Sequence, residues 1–162
     1  MASVDFFLKI DGIEGESTQK GHEKEIEIQS WSFGVSNTGS FSGNMGGGSG
    51  KASFQDIHVS VPISKASPKL WLACATGEHI KSAILTARKA GKTQQKYLII
   101  KMADLLVSSY HNGGTEGSGV MPMDQIALNF TKFEIGYAPQ KIDGSLEAYI
   151  NVGYDLKKGT KV

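Results

Sequence analysis

A mainly β fold, an antiparallel β-barrel with one short flanking α-helix and a long extended glycine-rich loop, is predicted by three observations. Apolar residues recur at every second position along most of the chain, as half-buried strands require. Turns bearing glycine or asparagine separate these runs, the pattern of an antiparallel meander or barrel. One stretch alone breaks the period, opening on Ser67-Pro68 and stopping at Gly77. The 162 residues suit a single domain spanning 1–162, because a chain of about 150 residues buries roughly two-thirds of its unfolded surface.

Taken in order, Phe6, Leu8 and Ile10 share one face of a first strand. Ile26 and Ile28 share a face of the second, opposite Glu25, Glu27 and Gln29. Ile57, Val59, Val61 and Ile63 form a third set, Ala83, Leu85 and Ala87 a fourth, and Tyr97-Leu98-Ile99-Ile100 a fifth. Leu128 and Phe130 follow. The cleanest alternation is the last: Leu146, Ala148, Ile150, Val152, Tyr154 and Leu156. Gly12, Gly15, Ala90-Gly91, Asn112-Gly113-Gly114 and Asp143-Gly144 read as the intervening turns.

Three strands change parity midway. Ile26 and Ile28 are even, but Trp31, Phe33 and Val35 are odd; Phe54 is even, but Ile57 onward is odd; Ile126, Leu128 and Phe130 give way to Phe133, Ile135 and Tyr137. A β-bulge at each break restores a single face. The alternative is burial of both faces, one against the core and one against a second subunit, and three cases together favour an oligomer.

The helix takes Ser67 as its N-cap, Pro68 as its first residue and Gly77 as its stop. Leu70, Trp71, Ala73, Cys74 and Ala75 cover most of its circumference, so it is expected to be enclosed against the barrel wall, with Trp71 in the core.

The loop from Ser36 to Lys51 has thirteen Gly, Ser, Asn or Thr residues out of sixteen. Fixing its backbone costs roughly 15–30 kcal/mol, whereas its apolar anchors, Phe41 and Met45, each return only about 1.5–3 kcal/mol on burial. The loop therefore stays mobile or is ordered by a partner surface. It is no phosphate loop: Lys51 is followed by Ala52, Met45 stands where the first glycine should be, and the next segment reads as a strand rather than a helix.

A net charge of +1, from 17 basic and 16 interleaved acidic residues, argues against a nucleic-acid partner. No stretch is long and apolar enough for membrane insertion, and the N-terminus lacks a secretory signal. The lone cysteine favours a reducing compartment. Neither catalytic residues nor cofactor or metal ligands are expected. His22, His58, His79 and His111 lack metal-ligand spacing, Cys74 reads as a structural thiol, and no nucleophile elbow is present. Asp56 and Asp104 read as turn or cap residues, and the Asn129-Phe130-Thr131 sequon as accidental. Trp31 lies between Ser30 and Ser32; with the tryptophan inward, the serines form a small, neutral outer face suited to a channel wall.

Several segments in this order resemble the haemolysin-coregulated protein (Hcp) family, the inner-tube proteins of bacterial type VI secretion systems. They are Ile13-Glu14-Gly15-Glu16-Ser17, His22-x-x-Glu25-Ile26, Ser30-Trp31-Ser32-Phe33-Gly34, Gly50-Lys51, Gln55-Asp56 and Ser67-Pro68-x-Leu70. Ala73-Cys74, Gly77-x-His79, Leu85-Thr86-x-Arg88-Lys89-Ala90-Gly91, Tyr97-Leu98-Ile99-Ile100, Leu128-Asn129-Phe130 and Tyr137-x-Pro139-Gln140 complete the set. The Asn44-Met45 interruption of the glycines and the polar 110–125 segment depart from the family pattern.

The resemblance implies a structural, non-enzymatic subunit that forms homohexameric rings, which stack into a tube inside a contractile sheath. It implies sheath, spike and effector proteins as partners, effectors carried in the lumen, and cytoplasmic assembly followed by export without a cleaved signal peptide. It also implies ring-stacking contacts from Gly39, Phe41, Gly43, Met45, Gly46, Gly47, Gly48 and Lys51 of the loop, from Ala90 and Gly91, and from Lys157 and Lys158. Ser30 and Ser32 become lumen-facing. No fused effector domain is expected. Two other readings stand beside this one: a carbohydrate- or lipid-binding barrel using Trp31 or the Asn112-Gly113-Gly114 region as its mouth, and a hydrolase with an unrecognised site.

Overall fold

A computed structural model describes residues 4–38, 51–89, 94–117 and 119–162. The chain runs β1 (Val4–Ile10), β2 (Ile26–Ile28), β3 (Ser30–Ser32), β4 (Val35–Asn37), β5 (Ala52–Phe54), β6 (Ile57–Pro62), α1 (Ala66–Thr76), β7 (Ile80–Lys89), β8 (Lys96–Gly113), β9 (Met123–Tyr137), β10 (Ile150–Asp155) and β11 (Thr160–Lys161). Every strand pairing is antiparallel. The main sheet follows the order β11-β10-β9-β8-β7-β1-β2, with β6 joining β9 and β3 joining β6.

Among the described residues the mainly β architecture with a single short helix is as expected, but the barrel is not closed by hydrogen bonds. Its corner lies at Gln29. β2 pairs with β1, the chain bends, and β3 pairs with β6 on the other side. A bend that lets one strand serve two sheet segments is a usual way to turn a corner.

That bend also resolves the first parity change, since Ile28 is buried and Trp31 still packs against the core. The second falls at the break between β5 and β6. The third lies within the β8–β9 hairpin. There β9 uses 123–128 to pair with β6 and 132–137 to pair with β10. Opposite the changeover, Asp104 of β8 has φ 48°, an αL conformation that aspartate tolerates better than most residues. Met102 and Leu105 on β8, and Phe130 and Phe133 on β9, therefore all reach the core. A second irregularity, between Val107 and Ser109, turns Tyr110 inward as well. The bend at Gln29 and the turn at Asp104 thus resolve two of the parity changes within the chain, except at Val35 and Tyr137, which stay exposed.

The core is filled by Leu8, Ile26, Ile57, Leu70, Leu85, Ile100, Leu105 and Leu128, all essentially inaccessible to solvent. α1 closes one side with Ala66, Leu70 and Ala73. Its C-terminus ends as the sequence requires. Gly77 takes φ 64°, its N–H bonds to Cys74 O and the Glu78 N–H to Ala73 O, a Schellman stop. Its start differs. The N-cap position is Lys65, and Ser67 lies inside the first turn. Ser64 Oγ accepts the Ala66 N–H, and Pro68 costs no hydrogen bond because first-turn N–H groups have no helical partner.

Two expectations of burial fail. Trp71 is 58% exposed and Ala75 is exposed too, because α1 touches the sheet along one face only. In the last strand Ile150 and Val152 are 63% and 60% exposed, and Ala148 is exposed too. β10 lies beyond the core's margin, with only the two-residue β11 outside it. Leu146 lies before the strand, in an isolated bridge with Gln140. Ile63 is also exposed.

Candidate assembly and cargo surfaces

Cross-strand partners in a sheet share a face. Trp31, Val59, Ile126 and Tyr110 are successive partners across β3, β6, β9 and β8, and all four touch the core. The flanking rows, Ser30–Ser60–Gln125–His111 and Ser32–His58–Ala127–Ser109, must therefore lie on the opposite side. Ser30 and Ser32 are exposed, as expected from an inward Trp31. Their face is wider than the serines alone suggested. Ser60 Oγ donates to Gln125 Oε1 at 2.6 Å, and Asp56 accepts from Ser108 Oγ at 2.5 Å and Asn129 Nδ2 at 2.8 Å. The result is a four-strand surface of hydroxyl, amide and imidazole groups around one carboxylate. His58, Ser60, Gln125 and His111 hold the polar parity of their strands; register, absent from the sequence, brings them together.

On the core side the apolar rows run out into solvent. Met102–Phe133 is buried, Ile100–Ile135–Val152 is covered at one end only, and Leu98–Tyr137–Ile150 ends with Tyr137 and Ile150 exposed. One sheet face thus passes from core to surface without a change of chemistry.

The 13–26 segment is tied down from several directions. Phe7 is stacked between the imidazole of His22, 4.2 Å away and parallel within 5°, and the guanidinium of Arg88, 4.7 Å from the ring centroid. Arg88 is only 2% exposed; its Nη1 donates to Gln94 Oε1 and its Nη2 to Gln19 Oε1, both at 3.0 Å, with Asp5 Oδ2 3.6 Å from Nε. His22 Nδ1 lies 3.0 Å from Glu25 Oε2. Gly15 runs against the backbone of the same loop; a Cβ there would stand 2.7 Å from Ile26 Cα. The Gly15, His22, Glu25 and Arg88 positions thus hold a loop together. Sequence reasoning did not anticipate the burial of Arg88.

A second buried polar centre was also not anticipated. Asp124 is fully buried and accepts hydrogen bonds from Tyr110 Oη at 2.7 Å, Asn112 Nδ2 at 2.6 Å and Ser67 Oγ. It fastens the first turn of α1 to the β8–β9 hairpin, where a negative charge also complements the helix dipole. Asn112 and Gly113 consequently belong to β8, and the hairpin turns after them. Asn112 is engaged in this network, and the Trp31 ring packs 5.9 Å from both Phe6 and Phe33.

The glycine-rich loop springs from the β4–β5 ladder, in which Asn37 pairs with Ala52. Lys51 is exposed at its root. Gly39, Phe41, Gly43, Met45, Gly46, Gly47, Gly48, Ala90 and Gly91 lie outside the described residues. Lys157 and Lys158 stand exposed in the β10–β11 turn, which is held by their backbone N–H groups donating to Asp155 Oδ1 at 2.9 and 3.0 Å. These bonds, that of Lys158 foremost, lower the Asp155 pKa. Among the described residues, no three His, Cys, Asp or Glu side chains are grouped to hold a metal ion.

The family described as "Type VI secretion system effector, Hcp" matches residues 7–137. Protein hcp1 of Pseudomonas aeruginosa is 38% identical over 161 residues, 98% of this chain and 99% of that protein. The crystal structure of Hcp1 from Salmonella typhimurium superposes with a TM-score of 0.79 at 32% identity, covering 100% of both chains. A solved type six secretion system protein reaches a TM-score of 0.94 at 28% identity, over 99% of this chain and 100% of that one. This chain belongs to the Hcp family of type VI secretion system proteins.

Proposed function

We propose that the chain is the tube subunit of a type VI secretion system. Copies close into hexameric rings, rings stack into the exported tube, and the lumen carries effector proteins. The observation that carries this reading is the apolar sheet face that continues past the core at Tyr137, Ile150 and Val152. A lone molecule leaves it in water, whereas a neighbour in a ring covers it. A heterologous contact that closes gives a ring, and a second, open contact gives a filament.

The four-strand polar face with Ser30 and Ser32 suits a lumen wall. It is neutral over most of its area and presents no apolar patch to trap a passing protein. The glycine-rich loop, Ala90, Gly91, Lys157 and Lys158 are the stacking elements in this reading. Sheath and spike proteins are the outer partners. A tube driven by its sheath needs stiffness and repeated contacts, not an active site.

Negative-stain microscopy and light scattering test the proposal. The wild-type protein forms annular particles, and Ile150→Asp/Val152→Asp gives folded monomers. Wild-type protein that stays monomeric at micromolar concentration refutes it.

A further inference from the structure

The Asn112-Gly113 pair, left over from the turns read in the sequence, stands at a chemically sensitive point. It is the only asparagine–glycine step in the chain. We propose that Asn112 is a site of spontaneous deamidation, with water as co-reactant, and that the reaction loosens the attachment of α1.

The chemistry is set by neighbours. The backbone nitrogen of Gly113 attacks Cγ of Asn112, the new N–Cγ bond closes a succinimide, and the Cγ–Nδ2 bond breaks. Ammonia leaves, taking up the proton released from the Gly113 amide. Water then opens the ring to aspartate or isoaspartate. Glycine at the attacking position leaves the approach unobstructed, and asparagine is among the heat-labile residues. Asn112 is exposed, so water reaches it. The two residues end β8, and strand ends open locally far more often than the molecule unfolds. While the strand is formed, its extended backbone and the bond from Nδ2 to Asp124 hold the amide away from attack. Fraying of the hairpin end therefore sets the rate.

The consequence follows from burial. Nδ2 is one of three donors to the fully buried Asp124, whose others come from Tyr110 and from Ser67 of α1. Deamidation removes that donor and sets a second carboxylate beside the buried Asp124, so like charges meet next to a desolvated group. The node that fastens α1 is weakened, and the chain acquires a marker of its age.

The test uses the intact protein aged at mildly alkaline pH and about 37 °C. Peptide mapping, with an isoaspartyl methyltransferase as probe, is expected to place isoaspartate at Asn112. Gly113→Ala is expected to slow the reaction several-fold without altering the fold, because space at the glycine's Cβ is open. The deamidated fraction, separated by ion exchange, is expected to melt about 5 °C below fresh protein. Asn112→Asp gives the same comparison without ageing. Isoaspartate confined to other asparagines, a rate indifferent to Gly113→Ala, or an aged fraction that melts with the fresh protein overturns the proposal. The isoaspartate map and the effect of Gly113→Ala on the rate do not depend on ring formation, and the melting comparison is made at one protein concentration.

Discussion

Replacing Asp124 by asparagine probes the joint between helix and sheet with almost no change of shape. The carboxylate accepts from Tyr110, Asn112 and Ser67 and is fully buried. Hydrogen bonds to a charged group contribute about 1.5–3 kcal/mol each, and a buried donor left unsatisfied costs about 1–3 kcal/mol. An asparagine keeps one acceptor oxygen. If its NH2 faces Tyr110 and Asn112, two donors confront a third. If its NH2 faces Ser67, the hydroxyl that also accepts the Ser64 N–H at 3.0 Å must reorient. Either way about one strong bond is lost and one donor is opposed. Relief of the buried charge offsets part of this, so the expected net loss is about 2 kcal/mol, a fall of roughly 4–8 °C in Tm. Urea denaturation followed by circular dichroism measures it, at fixed protein concentration because self-association adds to apparent stability. A double-mutant cycle with Tyr110→Phe should show coupling of at least about 0.5 kcal/mol. If Asp124→Asn lies within about 0.5 kcal/mol of wild type, as ordinary surface substitutions do, Asp124 does not hold the helix.

Gly15→Ala is expected to destabilise the protein by about 2 kcal/mol or more, since its Cβ would meet backbone atoms of Glu25 and Ile26 that have little room to move; thermal melting set beside the benign Gly113→Ala gives the contrast. The phenol of Tyr110 has its pKa raised by burial first and then by its bond to Asp124, and that of Tyr97 is raised by burial and by Tyr137. The folded form thus keeps these protons longer than the unfolded chain does. Their contribution to stability is full below the unfolded value of about 10 and is lost as pH rises from there through the folded values. Ultraviolet titration should show Tyr97 and Tyr110 ionising above the ordinary phenol range, and Tyr110→Phe should remove one of these late steps.

Most strand positions, the turns at Gly12 and Asp143-Gly144 and the stop at Gly77 were legible in the sequence because each rests on local geometry. Alternation follows from the pleat, and a helix that ends in the αL region favours glycine. The family motifs were legible as a pattern, but their work in the 13–26 loop was not. Stacking of His22 and Arg88 on Phe7 joins residues far apart in the chain. Asp124 gave no signal, because a carboxylate in a polar run becomes a buried acceptor only when Ser67, Tyr110 and Asn112 converge on it. Periodicity also reports only which side chains share a face, not what lies over that face. Trp71 on α1 and Ile150 and Val152 on β10 have the pattern of core residues and stand in solvent. Conversely, the parity changes suggested a second buried surface, yet the bend at Gln29 and the αL turn at Asp104 resolve two of them within one chain. The amino-acid order determined the elements and their faces; the tertiary packing alone decided which faces are covered, because coverage depends on residues that sequence distance does not relate.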